Sequence, residues 1–434
     1  MILAPQKLRI EGVYEQKQPG NYMVRVKVPG GVLSAEQAHK VADIAERFAG
    51  GSVHITVRAS IEFHRVQGDA LPEVARLLAA VGLTTRGACG GAVRGVVCST
   101  HFGEGFPSTQ VLARKLHHHF TQNPHFEGLP KKFKIGVDDG YAGSRHLIQD
   151  LGLVRAGTEG GQDRYDVWMA GGLGREPQPA FLFERGVAEE RIIPLIEAVV
   201  TVYRGHAPHG RRLKHLVREM GEAGVRTLVD TELAGKGPLL IADGFARQLT
   251  LPATASANAH LEAPVFAGEL PAIALRRLTT IAADYAGGFM ILTCDQNVAF
   301  LVPDGAREES EQALTAAGFR AAPEEKQVTF RICPGSHECR MGLAPTRDVA
   351  RSVIDAMGPA GAGLSWAISG CHNSCSQPQL AGAGIFVSGL VKGEYGERSP
   401  RFDFYRRIDP DGFGIPARQG LTLAELLEAV GEIG

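Results

Sequence analysis

The chain has 434 residues, of which 44% are hydrophobic and 21% are charged, as in a globular enzyme of two or three domains. Its formal net charge of -1 gives no general electrostatic reason to bind nucleic acid or a membrane surface. Residues 1–11 lack the apolar core of a signal peptide, and no apolar run approaches the length of a membrane span. We therefore expect a cytoplasmic protein with neither nucleic-acid nor membrane partners.

The first predicted elements lie near the N-terminus. Ser34 and Gln37 form a capping box, in which two side chains bond the first free N–H groups of a helix, so we expect a helix from there to about Phe48. A glycine pair ends this helix. Apolar residues then alternate over 53–57, which is typical of a half-buried strand, and a second helix is predicted over 71–81.

The middle of the chain has a mixed α/β pattern. Apolar spacing predicts helices over 111–120 and 187–203, and strands over 133–137 and 165–169. A proline at position 194 is expected to kink the second of these helices.

The N-terminal pattern then repeats. The segment IAERFAGGSVHITVRASIEF at 44–63 reappears as IAADYAGGFMILTCDQNVAF at 281–300, an offset of 237 that preserves the glycine pair and the apolar pattern. The second copy therefore predicts a helix, a strand and a further helix over 308–317. Because the copies are far apart in sequence, we expect the chain to leave this unit and return to it, forming a pseudo-symmetric pair.

Seven cysteines are present, and an odd number without an export signal argues against a disulfide framework. Three scattered cysteines are interpreted as buried, inert thiols: Cys89, Cys98 and Cys294. The other four lie within 43 consecutive residues: Cys333, Cys339, Cys371 and Cys375. This clustering predicts a metal centre.

Four thiolates suit an iron–sulfur cubane, because soft, anionic sulfur stabilises iron. Pairs of cysteines separated by three to five residues can reach one cluster from a single loop. Structural zinc is the second interpretation, although zinc sites favour tighter spacing than the five-residue gap between Cys333 and Cys339. Four unconnected thiols are the third.

The residues around the cysteines resemble the siroheme-dependent sulfite and nitrite reductase family. The segments CPGSHECRMGLAPT and SGCHNSCSQPQLAGAGIFVSG are similar to that family's two cysteine pairs. Four further segments fall in the family's order: NYMVRVKVPGG at 21–31, ITVRASIEFH at 55–64, LPKKFKIGV at 129–137 and RRLKHLVREMG at 211–221. The resemblance covers nearly the whole chain.

The resemblance implies an α/β (α+β) fold in four parts. Ferredoxin-like half-domains at 1–84 and 236–326 form a pseudo-two-fold repeat. Two α/β domains, at 85–235 and 327–434, bind siroheme and the cluster.

The resemblance also implies the cofactors, a siroheme and a [4Fe-4S] cluster, with Cys375 bridging the cluster to the siroheme iron. An oxyanion beside an eight-carboxylate macrocycle needs concentrated positive charge, which arginine forks and lysine ammonium groups provide. The family's substrate and siroheme contacts carry over to four bases: Arg58, Arg94, Lys132 and Lys134. Further cofactor contacts are expected at Arg212, Lys214 and Asn373.

The implied activity is the six-electron reduction of sulfite to sulfide. Lys134 favours sulfite, because nitrite-reducing members typically carry asparagine there. Since nothing resembles a flavin or nicotinamide domain, we expect electrons from a separate protein, a ferredoxin or a flavoprotein. Ala59, Gly95 and His372 depart from the family pattern, so siroheme contacts and substrate could differ from the norm.

Three alternatives remain open at this point. The first is nitrite reduction to ammonia on the same scaffold. The second is an oxygenase similar to precorrin-3B synthase, against which the four retained bases argue. The third is a non-catalytic iron–sulfur electron carrier, which would need the cysteines but not the bases.

Overall fold

The structure, a computed structural model of the chain, describes residues 5–100, 102–121, 123–235, 258–319 and 328–433. The expected domain boundary between 326 and 327 and the start of the second half-repeat at 236 lie outside these residues. Among the helices of the described ranges, none combines the length and the hydrophobicity that a membrane crossing requires.

The described residues form eleven α-helices: α1 (Pro5–Ile10), α2 (Ala35–Phe48), α3 (Leu71–Ala79), α4 (Phe106–Phe120), α5 (Glu189–His206), α6 (Leu213–Ala234), α7 (Ala272–Tyr285), α8 (Arg307–Ala316), α9 (Thr346–Ala356), α10 (Pro359–Ala362) and α11 (Leu423–Gly431). They also form nineteen strands: β1 (Val13–Glu15), β2 (Asn21–Val26), β3 (Val32–Ser34), β4 (Ser52–Ile55), β5 (Ile61–Gln67), β6 (Val97–Cys98), β7 (Ile135–Asp138), β8 (Leu151–Glu159), β9 (Gln162–Met169), β10 (Phe181–Ala188), β11 (Asn258–Ala263), β12 (Glu269–Pro271), β13 (Phe289–Leu292), β14 (Val298–Pro303), β15 (Phe330–Ile332), β16 (Trp366–Ser369), β17 (Ala383–Lys392), β18 (Arg398–Arg406) and β19 (Ile415–Leu421).

The predicted repeat is confirmed, and its two copies exchange strands. One sheet has the order β1-β2-β5-β4-β12 and the other β11-β14-β13-β3. Strand β3 of the first copy therefore joins the second copy's sheet, and β12 joins the first copy's sheet. Helices α2 and α7, of 14 residues each, pack on each other over one shared core. We call this unit the repeat pair.

Helix α2 begins where the sequence predicts. The Gln37 backbone N–H donates to Ser34 Oγ at 3.1 Å, and the Ser34 N–H donates to Gln37 Oε1 at 3.1 Å. Both bonds satisfy N–H groups that have no partner inside the helix. The apolar side of the helix, including Val41 and Ile44, is buried in the core of the repeat pair.

The chain also contains two α/β units, as the resemblance implies, and their shared topology is a feature that the sequence had not predicted. In the first unit, strands β6, β7 and β8 are parallel, and β9 and β10 continue the sheet antiparallel. In the second unit, β15, β16 and β17 are parallel, and β18 and β19 are antiparallel. Helix α4 follows the first strand of one unit, and α9 follows the first strand of the other.

Several predicted boundaries differ from the structure. The strand expected over 133–137 runs from Ile135 to Asp138, and the helix expected from 187 begins at Glu189, because strand β10 continues to Ala188. Helix α5 continues through Pro194 without an internal break in its helical backbone angles, so the predicted kink is wrong. The three scattered cysteines are buried, as predicted.

Candidate functional site

The four clustered cysteines lie at one edge of the second α/β unit. Cys333 directly follows β15, and Cys371 and Cys375 follow β16. Because β15 and β16 are parallel neighbours, their carboxyl ends meet at the same edge of the sheet. The thiols influence one another there: burial, followed by the charges of Cys375 and Cys371, raises the pKa of Cys339 to about 11.

Backbone N–H groups point at three of these sulfurs. The Gly370 N–H donates to Cys333 Sγ at 3.1 Å. The N–H groups of Met341 and Asn373 bond the thiols of Cys339 and Cys371 in the same way. Such donors stabilise thiolate charge, as ligation of iron requires.

The four sulfurs do not surround a single ion as they stand. Two sulfurs bound to one zinc ion lie at most about 4.6 Å apart, since each Zn–S bond is about 2.3 Å. In the described part of the chain, no three of the four sulfurs come within 4.8 Å of one another.

Arg58 reaches from the repeat pair into the first α/β unit. It lies in the loop between β4 and β5, and its Nη1 and Nη2 donate to Gln149 Oε1 and to the Gly95 carbonyl, each at 2.9 Å. Burial, together with the charges of Arg94 and Arg212, lowers the pKa of Arg58 to about 10.

Lys132 and Lys134 precede strand β7, on either side of the buried Phe133. Residues two apart in an extended chain point to the same side, so both ammonium groups share one side. Burial, then the charges of Arg212 and Arg94, lowers the pKa of Lys132 to about 8, while Cys375 acts in the opposite direction. Lys132 therefore lies close enough to Cys375 for the charges of the two groups to interact.

Lys134 and Arg94 complete this group of bases. The pKa of Lys134 lies well below its usual value because of burial and then the charges of Lys132 and Arg58. Arg94 is 8% exposed and donates to the Gly87 carbonyl at 3.1 Å and to the Gly90 carbonyl at 2.9 Å. Arg58, Arg94, Lys132 and Lys134 therefore form one electrostatically linked group beside Cys375.

The other predicted cofactor contacts, Arg212, Lys214 and Asn373, form hydrogen bonds with protein atoms. Arg212 bonds Asp150 through Nη2–Oδ2 at 2.7 Å, and Lys214 donates to the carbonyls of Gly172 and Leu173 at 3.2 and 3.3 Å. Both basic side chains thus point at protein acceptors, one layer behind the lysine pair. Asn373 is exposed, and its side chain hydrogen-bonds the Cys371 thiol.

Sequence reasoning missed Arg25. This residue lies on β2, and its Nη1 is 3.8 Å from the buried Cys89 sulfur. Its charge acts on Arg94 and on Tyr14, so it belongs to the same group of bases. The available signal was a charged residue on the face of β2 opposite to the buried Val24 and Val26.

The base group fits a polyanionic cofactor. Burial lowers the pKa of Arg58, Lys132 and Lys134, which means that their positive charges are incompletely compensated by the protein. A neighbouring carboxylate, Asp150, is already bonded to Arg212. An anionic group bound against these bases would stabilise their charged forms.

Two known family domains match the chain. Residues 14–81 match the nitrite/sulfite reductase ferredoxin-like half domain. Residues 88–236 match the nitrite and sulphite reductase 4Fe-4S domain. The second match contains Arg94, Lys132 and Lys134, whereas the four clustered cysteines lie beyond it.

Relatives of both substrate types are similar to the chain. It is 26% identical over 408 residues to sulfite reductase (ferredoxin) 2 of Mycolicibacterium paratuberculosis, covering 88% of this chain and 72% of the relative. It is 28% identical over 409 residues to ferredoxin–nitrite reductase of Synechococcus elongatus, covering 86% and 78%. The structure of the Mycobacterium tuberculosis NirA protein has the same fold, with a TM-score of 0.82 at 22% identity, over 98% of this chain and 85% of that one.

Proposed function

The chain belongs to the nitrite and sulfite reductase family, and on that premise we propose that it reduces sulfite to sulfide with six electrons. The protein is an oxidoreductase whose cofactors are siroheme and a [4Fe-4S] cluster. When bound, these two groups would pass electrons from the external donor to the substrate. In this proposal, Cys333, Cys339, Cys371 and Cys375 would hold the cluster, and Cys375 would also help to hold the siroheme.

The lysine pair supports sulfite most directly. Sulfite carries more negative charge than nitrite near neutral pH, so two adjacent ammonium groups favour it. Lys132 and Lys134 lie on one side of the chain before β7, next to Arg58 and Arg94. These four bases would bind the oxyanion and orient it.

Protons must also reach the substrate, because its oxygens leave as water. The Lys132 ammonium group carries protons and lies within electrostatic reach of Cys375, beside the other three bases. We therefore assign proton delivery to the Lys132 ammonium group, and the resulting amine would be reprotonated from solvent.

Nitrite is the second candidate substrate, since the similarity to the Synechococcus nitrite reductase is as high as that to the mycobacterial sulfite reductase. For the electron donor we propose a ferredoxin, which the names of both relatives include.

Replacing Lys134 with asparagine tests the choice of substrate. The wild type should have a higher kcat/KM for sulfite than for nitrite, and Lys134→Asn should shift that ratio about tenfold or more toward nitrite. A lost charge-assisted contact to a buried anion corresponds to about 1.5–3 kcal/mol. Both anions are assayed with the same low-potential dye as electron donor, so that docking of a protein donor does not affect the measured ratio.

Lys115→Asn is the matched control, because Lys115 pairs with Glu189 at 2.8 Å on helix α4 and does not belong to the base group. It should leave the ratio unchanged. An equal loss of both activities in Lys134→Asn would assign Lys134 to siroheme binding or to general proton supply, and would remove the main support for sulfite.

A further inference from the structure

A buried group of polar side chains lies beside Arg25. His54, Glu62 and His64 each bring one ligand-type atom within 4.8 Å of the others. His54 is 4% exposed and Glu62 is 5% exposed. The arrangement has the composition of a metal site, so the protonation of the two imidazole rings decides what it can bind.

Gln296 packs against His54 and bonds the backbone around it. Its Oε1 accepts a hydrogen bond from the Ile332 N–H at 2.6 Å, and its amide nitrogen donates to the carbonyls of Ile55 and Ile332 at 2.8 and 3.0 Å. These two acceptors take both amide hydrogens, so the 3.1 Å approach of this nitrogen to His54 Nε2 is a packing contact. On the other side of the ring, His54 Nδ1 lies 3.3 Å from Glu62 Oε2.

Gln16 determines the tautomer of His64. The Gln16 Oε1 accepts from the Arg65 backbone N–H, and Gln16 Nε2 faces His64 Nδ1 at 3.0 Å. Because an amide nitrogen only donates, the proton of this ring is on Nε2, which lies 3.3 Å from Glu62 Oε2 but not in hydrogen-bond geometry. Of the two imidazoles, only His54 is hydrogen-bonded to the carboxylate.

Arg25 donates hydrogen bonds to the other carboxylate oxygen of Glu62, Oε1. Arg25 Nε donates to Glu62 Oε1 at 2.8 Å, and Nη2 bonds the same oxygen. The carboxylate thus accepts hydrogen bonds from three nitrogens, the two of Arg25 and His54 Nδ1, and remains ionised: burial raises its pKa, but Arg25 and the two histidines outweigh burial and hold it well below the usual value. The side chain of Arg25 is 35% exposed and that of Glu62 is 6% exposed, so the carboxylate lies deeper than the guanidinium that it binds.

We infer that Glu62 tunes the charge preference of the oxyanion site by neutralising Arg25. Its carboxylate lowers the net positive charge of the base group by one. The site therefore favours a doubly charged anion less strongly than its number of basic residues suggests, and nitrite remains a competent substrate. This inference rests on the proposed function.

Glu62→Gln removes this charge and tests the inference in the holoenzyme. The ratio of kcat/KM for sulfite to that for nitrite should rise about fivefold, as expected for one added charge several ångströms from the anion at intermediate dielectric. The dissociation constant of sulfite for the oxidised holoenzyme, from spectral titration, should fall more than that of nitrite. Glu127→Gln is the control, because Glu127 also binds an arginine, Arg86, through two bonds of 2.8 Å.

A second comparison, made in the Arg25→Gln variant, keeps the test informative if Glu62→Gln alone does not fold. The double variant Arg25→Gln/Glu62→Gln should have a higher sulfite-to-nitrite ratio than Arg25→Gln alone, because only the carboxylate charge differs between them. A ratio that is unchanged, or that moves toward nitrite, in both backgrounds would overturn the inference. If the wild-type holoenzyme reduced neither anion, the proposed function would fail instead, and the two failures are distinguishable.

Discussion

The two copies of the repeat carry equivalent loops of the same shape but opposite charge. In loop 56–60 the Thr56 N–H donates to the Ser60 carbonyl at 2.9 Å, and in loop 293–297 the Thr293 N–H donates to the Asn297 carbonyl at 2.9 Å. The fourth residue of each loop has a left-handed backbone, with φ of 50° at Ala59 and 69° at Gln296. Both copies of the repeat therefore keep the same backbone conformation in this loop.

The side chains before these positions have diverged. Arg58 enters the base group beside Cys375, whereas its counterpart Asp295 accepts hydrogen bonds from Arg145 and Arg331, each at 2.9 Å. Arg145 belongs to the first α/β unit and Arg331 to strand β15 of the second. The comparison teaches that one loop places an arginine in the base group, while its equivalent joins the two α/β units through two ion pairs.

Asp295→Asn should have the largest effect on stability. It leaves Arg145 and Arg331 without a carboxylate, which is expected to cost about 3 kcal/mol in the free energy of unfolding, measured with urea. Asp163→Asn, which breaks a partly buried pair with the single arginine Arg155, should cost less than Asp295→Asn, which removes the partner of two arginines. Equal losses in the two variants would mean that Asp295 does not join the units.

The same carboxylate predicts acid sensitivity. Burial raises the pKa of Asp295, but Arg145 and Arg331 outweigh burial and hold it well below the usual value. Because the folded-state pKa is depressed, the stabilisation is present above the unfolded pKa of about 3.9 and is lost as pH falls below it. Asp295→Asn should remove this part of the pH dependence of unfolding.

Arg58→Gln should affect function rather than stability. Removing one charge from the base group is expected to lower kcat/KM for sulfite and nitrite about tenfold or more, or about 1.5–3 kcal/mol. The free energy of unfolding should change less than in Asp295→Asn, since Arg58 bonds neutral acceptors such as the Gly95 carbonyl. A variant with full activity but reduced stability would reverse the roles assigned to the two loops.

Cys294→Ser should have the smallest effect. Cys294 lies in the second loop, and burial raises the pKa of its thiol, which keeps it protonated and inert. Iron and acid-labile sulfide content should remain at the wild-type level. Cys375→Ser should lose or uncouple the cluster, because a hydroxyl is a hard, weakly acidic ligand compared with a thiolate. The same iron content in both variants would contradict the ligand assignment.

Some parts of this architecture could be predicted from the sequence because their causes are local. The capping box at Ser34 and Gln37 depends on atoms three residues apart, and it begins helix α2 as expected. The repeat is visible because both copies preserve the same apolar spacing. The cysteine pairs each lie within a few residues of one another, so their spacing already indicated a shared metal centre.

Distant contacts decide features that the sequence alone does not show. Pro194 was expected to kink a helix, yet α5 continues through it with most of that helix buried against the first α/β unit. Arg212 and Lys214 stay predicted cofactor contacts, and the structure adds that they bond Asp150 and backbone carbonyls around Gly172.

The sequence by itself therefore determined the family, the repeat, the four clustered cysteines and the presence of paired lysines. Only the tertiary structure decided which bases lie in one electrostatically linked group, that Arg25 is among them, and that Glu62 and Asp295 pair with particular arginines. The physical reason is the distance along the chain over which each kind of interaction acts. Capping and apolar periodicity act over a few residues, whereas the pairing of Arg25 with Glu62 or of Asp295 with Arg331 requires strands and loops from separate parts of the chain to pack together.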